Sequence, residues 1–450
     1  MTHLIQIAPL ESSSFDEHHP PEQSLLADCV HCGFCLPACP TYVLWGEEMD
    51  SPRGRIYMMQ KASEGNAPLD QNFRQHMDNC LGCMACMTAC PSGVQYNKLI
   101  EDTRAQVDRN IPRSTEDSLF RKLLFATFPH PARLRLMAGP LFLYQRSGLQ
   151  RLVRASGLLT LVPRRFAAME SLLPRVPARF ASSMPERVAP VSTLRRRVGM
   201  LTGCVQQVFF SHVNEATARV LAAEGCEVIV PKNQPCCGAL MVHSGLEEEA
   251  AAMARAIIAL FDQVDVETIV INAAGCGSTM KEYGHLLRDD PQWAERARAF
   301  SAKCRDITEI LCELAPVAPR NPLPMRIAYH DACHLRHAQG IHQEPRQLLA
   351  GVPQLEVAEI AEASLCCGSA GVYNLLQPEP AQELGDRKVT NLLATKSEAV
   401  VSANPGCLLQ IMSGLRRRGE KTMPAFHMVE LLDASIRGLT VEEVLGRDKN

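Results

Sequence analysis

The sequence lacks the features that mark a secreted or membrane-embedded chain. No uninterrupted apolar run approaches the roughly 18 residues that a membrane-spanning helix needs. Residues 1–20 contain no Lys or Arg and lack the apolar stretch of a signal peptide. The chain has 19 Cys, an odd number, which argues against a disulfide framework. These absences indicate a cytoplasmic protein whose thiols stay reduced and serve metal or redox chemistry.

Two further absences narrow the function. The formal net charge is -3, and no aromatic stacking platform or base-reading module accompanies the basic residues, so nucleic acid is not expected as a partner. No G-x-G-x-x-G follows a predicted strand, and no catalytic base is assembled around a recognisable pocket. We therefore expect no flavin and no catalytic residue on this chain, so electrons must arrive from another polypeptide.

What the sequence does contain is one cysteine spacing, used twice between Cys29 and Cys90. Each copy reads C-x2-C-x2-C-x3-C-P, the spacing with which bacterial ferredoxins hold two [4Fe–4S] clusters. In that pattern the fourth Cys ligates the other cluster. Structural zinc fits a run of three evenly spaced Cys poorly. The two predicted ligand sets are Cys29, Cys32, Cys35 and Cys90, and Cys80, Cys83, Cys86 and Cys39.

The two motifs are separated by an insert longer than a compact βαβ ferredoxin uses. It contains Pro52-Arg53-Gly54-Arg55 and two segments of helical character, 56–61 and 71–77. The insert resembles the all-helical ferredoxin domain of succinate dehydrogenase and fumarate reductase iron–sulfur subunits. Arg53 and Arg55 are candidates to favour a reduced cluster or to bind a partner carboxylate. A surface turn between helices is the alternative.

Residues 113–197 are strongly basic, with sixteen Lys plus Arg against four Asp plus Glu. Apolar residues are interleaved with these charges, and prolines at 129, 131, 140, 163, 174 and 177 are expected to break the stretch into short helices. An amphipathic segment on an anionic membrane face is one interpretation. A basic surface for a partner subunit and a solvated connecting arm are the others.

From residue 198 the pattern alternates strands and helices, and it repeats. Four Cys recur at offsets of 129, 130, 130 and 131 residues, which indicates an internal duplication. Each lies where a predicted strand gives way to a loop, and open α/β sheets gather their ligands at that edge. The candidate redox or cluster residues are Cys204, Cys236, Cys237 and Cys276 in the first copy, and Cys333, Cys366, Cys367 and Cys407 in the second.

The paired cysteines of each copy precede a Gly, so two thiols share one tight turn. A vicinal disulfide or a reactive dithiol is the alternative to a metal site. His330, Asp331, His334 and His337 surround Cys333, which suggests ligation or proton transfer coupled to an electron. Of these, His337 is expected to be a hydrogen-bonding residue. Three Cys have no counterpart in the other copy and are predicted to be buried small hydrophobes: Cys226, Cys304 and Cys312.

The duplicated pattern resembles the cysteine-rich CCG domain pair of the heterodisulfide reductase family. There, each full motif ends in C-x-x-C and holds a non-cubane [4Fe–4S] cluster. Here, Gly277-Ser278-Thr279 follows Cys276, and Leu408-Leu409-Gln410 follows Cys407, so the fifth Cys is missing from both copies. Three alternatives stay open. Each copy could hold a conventional cluster on four Cys, each could be a metal-free dithiol, or one site could be filled and the other empty.

These parts predict a multidomain protein. The predicted order is a flexible arm (1–22), a helical two-cluster ferredoxin domain (23–112), a basic helical linker (113–197) and two tandem α/β CCG domains (198–320 and 321–450). The whole chain is similar to the iron–sulfur subunits of flavoprotein hydroxyacid dehydrogenases, of the glycolate oxidase type. The matching stretches begin at Cys29, Pro52, Cys90, Cys366 and Ala403.

The resemblance implies an electron-transfer subunit of a glycolate dehydrogenase complex. FAD-binding partner subunits would oxidise glycolate to glyoxylate, and this chain would pass the electrons on through two [4Fe–4S] clusters. A quinone or other membrane-linked acceptor would receive them, with peripheral contact at the cytoplasmic face of the inner membrane. An additional cluster in the CCG domains is possible within this resemblance. Subunits of lactate or glycerol-3-phosphate dehydrogenases and of heterodisulfide-type reductases are alternatives, and a cluster-based redox sensor is one of another class.

Overall fold

The computed structural model describes residues 13–177, 184–420 and 422–446. The chain forms two compact units. One comprises residues up to 115 together with 243–246, and the other comprises 116–242 and the residues from 247 onward. The predicted fold class is confirmed, because the N-terminal part is helical and the C-terminal part contains two α/β sheets.

Helices make up the N-terminal unit, and caps fix where they begin. Pro52 opens one helix, and the Ser51 hydroxyl accepts a hydrogen bond from the Gly54 N–H at 3.0 Å. Asp70 caps the next helix by accepting from the Phe73 N–H at 2.9 Å. The helices are α1 (Gln23–Ala27), α2 (Pro40–Trp45), α3 (Pro52–Ser63), α4 (Gln71–Asn79), α5 (Ala85–Thr88) and α6 (Tyr96–Asn110), with a 3-10 turn at Glu48–Asp50.

Residues 13–22 differ from the flexible arm that the sequence predicts. The Ser14 N–H donates to the Ala62 carbonyl at 2.9 Å, and the Phe15 ring is buried. Asp16 accepts hydrogen bonds from Arg109 and Asn110 on α6. A single buried aromatic ring and one paired carboxylate are enough to fix this segment on the helices. Residues 1–12 of the predicted arm lie outside the described residues.

Four helices follow in the linker: α7 (Thr115–Thr127), α8 (Pro131–Arg146), α9 (Leu149–Ala155) and α10 (Arg164–Ser171). Pro131 and Pro163 stand at helix starts, where their missing N–H groups cost nothing. The expectation that Pro140 breaks the chain is wrong, because α8 continues through it. Pro140 is exposed, so the carbonyl that it leaves unpaired can turn to water. None of the described helices has the length and apolar content that a bilayer crossing requires.

The second unit holds two sheets. The first contains β1 (Arg187–Val188), β2 (Arg196–Met200), β3 (Cys226–Ile229), β4 (Thr268–Ile271) and β5 (Cys304–Asp306) in the order β1-β3-β2-β4-β5. The second contains β6 (Met325–His330), β7 (Leu355–Glu359), β8 (Ala399–Ser402) and β9 (Ala425–His427) in the order β7-β6-β8-β9. The first sheet therefore begins at Arg187, before the predicted domain boundary at 198.

The two sheets have one topology, as the sequence duplication predicts. Only β1 pairs antiparallel; all the other pairs in both described sheets are parallel. Without β1, each sheet places its strands in the order second, first, third, fourth. The helices that connect or follow these strands are α11 (Gln206–Phe209), α12 (Ser211–Ala223), α13 (Ala239–Val242), α14 (Glu247–Phe261), α15 (Ala274–Lys281), α16 (Tyr283–Leu286), α17 (Ala294–Lys303), α18 (Ile307–Leu314), α19 (Glu344–Ala350), α20 (Tyr373–Leu376), α21 (Pro378–Leu393), α22 (Pro405–Arg417), α23 (Met428–Arg437) and α24 (Val441–Gly446).

Each fourth strand ends on the residue that caps the next helix. Asp306 closes β5 and accepts from the Thr308 N–H, while His427 closes β9 and accepts from the Val429 N–H. Both are part of capping boxes. Arg219 on α12 pairs with Asp433 on α23 at 2.8 Å, which joins the two sheets' helical layers. The duplication thus extends from the Cys positions to the caps.

Candidate iron–sulfur and cysteine sites

The eight cysteines of the N-terminal unit line two cavities. The larger, of about 410 Å³ and partly open to solvent, is lined by Cys29, Cys32, Cys35, Cys86 and Cys90. The smaller, of about 290 Å³, is lined by Cys39, Cys80, Cys83 and Cys86. The structure therefore brings Cys90 to the first three cysteines and Cys39 to the second three, the exchange that the spacing predicts. We call these the first and second cluster sites.

The backbone explains how three closely spaced cysteines turn toward one point. The residues on both sides of the second Cys in each motif have left-handed conformations: His31 and Gly33 have φ values of 53° and 87°, and Gly82 and Met84 have 63° and 60°. His31 and Met84 are strained there, since residues with a Cβ seldom adopt positive φ. The helix α2 starts directly after Cys39 and carries it away from its own motif.

Arg53 supports the loop of the first cluster site. Its guanidinium donates to the Glu48 carboxylate at 2.6 Å and to the His31 carbonyl at 3.0 Å. The hydrogen bond from Arg53 lowers the pKa of Glu48. Its donors are thus used to hold the loop, and its predicted contact with a partner subunit stays a prediction.

The prediction that Arg55 contacts a partner carboxylate is contradicted by its burial. Its side chain is 1% exposed, and it pairs with Asp50 at 3.0 Å. It also donates to the Thr41 hydroxyl at 3.3 Å and to the His76 carbonyl at 2.7 Å. Arg55 lies in the first turn of α3, and its buried side chain lines the second cluster site. The alternative interpretation, a charge that favours a reduced cluster, agrees with this position.

The two cluster sites differ in electrostatics. Burial alone would raise the pKa of the Cys80 thiol, but the guanidinium groups of Arg55 and Arg104, together with hydrogen bonds, lower it below its usual value. The Tyr96 hydroxyl also contacts the Cys80 sulfur, at 3.6 Å. In the first site, burial raises the pKa of Cys35 to about 11. The positive charge of the second site therefore acts on Cys80, whereas burial and neighbouring thiols raise the pKa of Cys86 well above its usual value.

In the first α/β domain, four cysteines collect at the carboxyl edge of the sheet. Cys204 follows β2, Cys236 and Cys237 follow β3, and Cys276 lies on α15 after β4. Contacts from the thiols of Cys204 and Cys237 lower the pKa of Cys236, so one thiolate is favoured within the group. Gly238 makes the turn at φ 82°, where a side chain would be strained.

The second domain repeats this arrangement, with every thiol buried. Cys333 follows β6, Cys366 and Cys367 follow β7, and Cys407 lies in the first turn of α22. The sulfur atoms of Cys366 and Cys333 are 3.9 Å apart. Contacts from Cys366 and Cys407 lower the pKa of Cys367. The structure thus brings each predicted set of four cysteines together, whereas their role as ligands stays a prediction.

The surroundings of the two sets differ. In the second domain, Asp331 pairs with Arg336 at 2.6 Å and Arg346 at 2.9 Å, while the equivalent Thr202 in the first domain hydrogen-bonds to Gln234. The predicted hydrogen-bonding residue His337 contacts the Ser364 carbonyl at 2.9 Å. Two of the three unmatched cysteines, Cys226 and Cys304, are fully buried as predicted, and Cys312 is half-buried.

Comparisons with known proteins match every part of this architecture. The profile of the 4Fe-4S dicluster domain matches residues 25–94, and that of the cysteine-rich domain matches 198–281 and 327–412. A third profile, the linker region of the glycolate oxidase iron-sulfur subunit, matches 116–173. The basic linker is therefore a feature of one group of proteins and not a generic connection.

Relatives that align with most of the chain point to the same group of proteins. The "Probable glycolate oxidase iron-sulfur subunit" of Bacillus subtilis (strain 168) is 40% identical over 417 residues, which are 91% of this chain and 94% of that protein. The chain belongs to the glycolate oxidase iron–sulfur subunit family. The "Glycolate oxidase iron-sulfur subunit" of Escherichia coli (strain K12) is 36% identical over 87% of this chain and 91% of its own length. "Lactate utilization protein A" of an Exiguobacterium species is 32% identical, but over 53% of this chain.

As a member of this family, the chain is an iron–sulfur electron-transfer subunit and carries iron–sulfur clusters. Sequence patterns pointed to its cysteines because their spacing is regular. They did not point to Tyr96, Arg104 or Lys388, which lie close to the sulfurs but occur in ordinary helical segments. Lys388 is buried, donates to the Glu362 carbonyl at 2.6 Å and interacts electrostatically with the thiols of Cys366 and Cys367.

Proposed function

We propose that this chain relays electrons through two [4Fe–4S] clusters, as part of an acceptor-linked glycolate dehydrogenase. Partner subunits that carry FAD oxidise glycolate to glyoxylate, and the chain passes the electrons toward a quinone-linked acceptor. A flavin takes up two electrons at once, whereas each cluster carries one, so the flavin divides the oxidation into single steps. The observation that supports this most directly is the pair of cysteine-lined cavities, with ligand sets Cys29, Cys32, Cys35 and Cys90, and Cys39, Cys80, Cys83 and Cys86.

The surface around the first cluster site supports electron exchange with another protein. Cys32 is exposed, and the neighbouring Val30 and Phe34 side chains are 68% and 67% exposed. Cys39, Cys80, Cys83 and Cys86 of the second site are all buried. Cys86 lines both cavities, so the two clusters are neighbours. An electron that enters at an exposed apolar patch therefore has a short path to a protected second centre.

The linker supports a peripheral position on the cytoplasmic face of the inner membrane. Eleven of the nineteen exposed large hydrophobic side chains among the described residues lie between Leu119 and Phe166. They share this stretch with exposed basic side chains that include Arg133 and Arg151. Exposed leucines beside arginines suit the interface of an anionic bilayer. This surface would bring the relay close to a membrane-linked acceptor.

The relay is tested by removing one ligand. Cys32→Ser should abolish glycolate-dependent quinone reduction by the assembled complex, because Ser leaves the first cluster without one of its four thiolates. Glycolate should still bleach the flavin in the partner subunits. Cys312→Ser is the matched control, since Cys312 is half-buried, belongs to no predicted ligand set, and its thiol is a weak donor to the Glu344 and Gln347 oxygens. Undiminished quinone reduction by Cys32→Ser would contradict the relay.

A lactate-oxidising complex is the second candidate, because a lactate utilization protein is among the relatives. The same assay separates the two. Glycolate should reduce the clusters of the assembled complex at least tenfold faster than lactate does at equal concentration. A preference for lactate would assign the chain to the second candidate while leaving its role as an electron carrier intact.

A further inference from the structure

A buried imidazole faces the sulfurs of the second α/β domain. His330 ends β6 and is 1% exposed. Neither of its ring nitrogens has a nitrogen or oxygen partner for a hydrogen bond among the described residues. One of them lies within 4.8 Å of the sulfur atoms of both Cys367 and Cys407, and these two sulfur atoms lie within 4.8 Å of each other. The hydrogen-bonding contact of this imidazole is the Cys367 thiol, which is a weak partner. Nitrogen and sulfur donors this close together suit a metal ion that binds both.

The spacing of these donors suits one ion. Tetrahedral zinc with bonds of about 2.3 Å to sulfur places two sulfurs about 3.8 Å apart. The His330, Cys367 and Cys407 donor atoms all lie within 4.8 Å of one another, a limit that includes this spacing, and the Cys366 thiol contacts that of Cys367. By contrast, the cysteines of the N-terminal unit line two partly open cavities, each with at least four sulfur atoms.

We propose that the second α/β domain binds a single Zn²⁺ ion through His330, Cys367 and Cys407. The fourth ligand is a sulfur of the Cys333–Cys366 pair. A closed site with three thiolates and one imidazole is typical of zinc that stabilises a fold. Such an ion would join the ends of β6, β7 and β8, in addition to the hydrogen bonds and core packing that hold these strands together. This is a different centre from the relay of the N-terminal unit, and the relay does not depend on it.

The charge around the site agrees with this ligand set. Three thiolates, one neutral imidazole and a divalent cation leave one net negative charge in a buried position. The ammonium group of Lys388 is buried nearby and interacts with the thiols of Cys366 and Cys367. This buried cation compensates the remaining charge, as buried charges require.

The internal duplication supplies a natural control. The offset of 129 residues that relates Cys333 to Cys204 places Leu201 opposite His330. Leu201 is buried in the apolar core of the first domain, beside Cys204 and Cys236. The first domain therefore has Leu201 in place of His330, and the imidazole that acts electrostatically on its Cys236 belongs to His130 of the linker. The substitution His330→Leu places the first domain's residue at the equivalent position of the second.

The test measures metal content in the full chain, purified without oxygen. Zinc and iron per chain are determined by mass spectrometry for the wild type, for His330→Leu and for the control His337→Gln, which keeps a partner for the Ser364 carbonyl. The His330→Leu variant should lose one equivalent of zinc and retain its iron, while His337→Gln should retain both. Zinc X-ray absorption of the wild type should show a nitrogen ligand that disappears in the variant.

A conservative variant distinguishes the loss of a ligand from misfolding of the domain. In His330→Cys a thiolate replaces the imidazole, so zinc should be retained while its X-ray absorption shows sulfur ligands alone in this site. Two results would overturn the proposal. One is about four additional iron atoms with matching acid-labile sulfide, lost in Cys407→Ser but unaffected by His330→Leu. The other is a wild-type chain whose zinc content is the same with and without His330.

Discussion

At the scale of single residues, the second cluster site is set apart by buried positive charge. Arg55 is enclosed with Asp50, and Arg104 donates to the Cys80 and Met77 carbonyls. A reduced cluster carries one more negative charge than an oxidised one, so nearby cations stabilise the reduced form. The first cluster site has a half-exposed Arg53 instead. We therefore expect the second cluster to have the higher reduction potential, which makes it the electron acceptor of the pair.

Arg55→Met tests this environment. Removing the guanidinium leaves the Asp50 carboxylate buried and without its main cation, which should cost about 3–5 kcal/mol of unfolding free energy. It should also lower the reduction potential of the second cluster only. Anaerobic denaturant unfolding and a redox titration followed by electron paramagnetic resonance measure the two effects.

The matched control for that substitution is Arg53→Met. Its partner, Glu48, is 45% exposed, so water replaces the lost pair and the cost should stay below about 1 kcal/mol. Equal losses in the two variants would show that the burial of Arg55 has no energetic importance.

The cysteines and the arginines differ in how well sequence predicts them. Regular spacing names the cysteines, because cluster geometry demands it. Pro52-Arg53-Gly54-Arg55 has the composition of a surface turn, yet it is the first turn of α3. Gly54 is required there because a Cβ would lie 2.0 Å from the Glu48 carbonyl. Close packing of this kind leaves no mark on composition, so the burial of Arg55 could not be predicted.

At the scale of elements, the duplicated strands end in caps with opposite pH behaviour. Burial raises the pKa of Asp306 to about 6 and lowers that of His427 to about 4. Between pH 6.5 and 4 the unfolded chain binds a proton at His427 that the folded chain does not, so this residue makes stability fall as pH falls. Between pH 3.8 and 6 the folded chain retains a proton at Asp306, so that residue makes stability fall as pH rises.

Asparagine substitutions should separate these contributions. Asn can cap a helix without titrating, so each variant keeps the local hydrogen bond. On going from pH 7 to pH 5, His427→Asn should gain about 1–2 kcal/mol of stability relative to the wild type, and Asp306→Asn should lose about 1–2 kcal/mol. Unfolding free energies at the two pH values provide the measurement. Shifts of the same sign in both variants would contradict the assignment.

Elements were predicted where the pattern was local. The strands near 198, 227, 268, 327 and 399 follow from short apolar runs, and the equal Cys offsets predict that two sheets share one topology. The edge strand Arg187–Val188 and the last strand of each sheet are two or three residues long, too short for a periodic signal. The prediction that Pro140 ends a helix is wrong because an exposed proline is tolerated in a long helix that tertiary contacts hold.

At the scale of the whole molecule, the sequence allows three interpretations of the linker surface: a membrane-binding face, a surface for a partner subunit, or a solvated arm. The exposed side chains argue against a solvated arm, which does not need eleven exposed large hydrophobics, and leave a membrane or a partner subunit. Leu136 and Leu161 are the most exposed of them, at 79% and 82%. Arg164 and Arg165, in contrast, pair with Glu379 and Asp117, so they report poorly on lipid binding.

The double variant Leu136→Gln/Leu161→Gln tests this surface. Inserting a leucine into lipid contributes up to about 1.5–3 kcal/mol, so binding to vesicles that contain anionic phospholipid should weaken at least tenfold. The control Val317→Gln removes an exposed apolar side chain outside the linker and should have no effect. Sedimentation with vesicles at low and high salt gives the measurement. Unchanged sedimentation would favour a partner subunit or a solvated arm.

The central claim is that two clusters with crossed ligands carry the electrons of glycolate. Electron paramagnetic resonance of the assembled complex, frozen without oxygen after glycolate is added, tests it most directly. We predict signals from two reduced [4Fe–4S] clusters in the wild type, with about eight iron atoms in them. Cys90→Ser should remove the cluster of the Cys29 set and leave that of the Cys80 set. Reduction of the flavin by glycolate without any cluster signal would contradict the account.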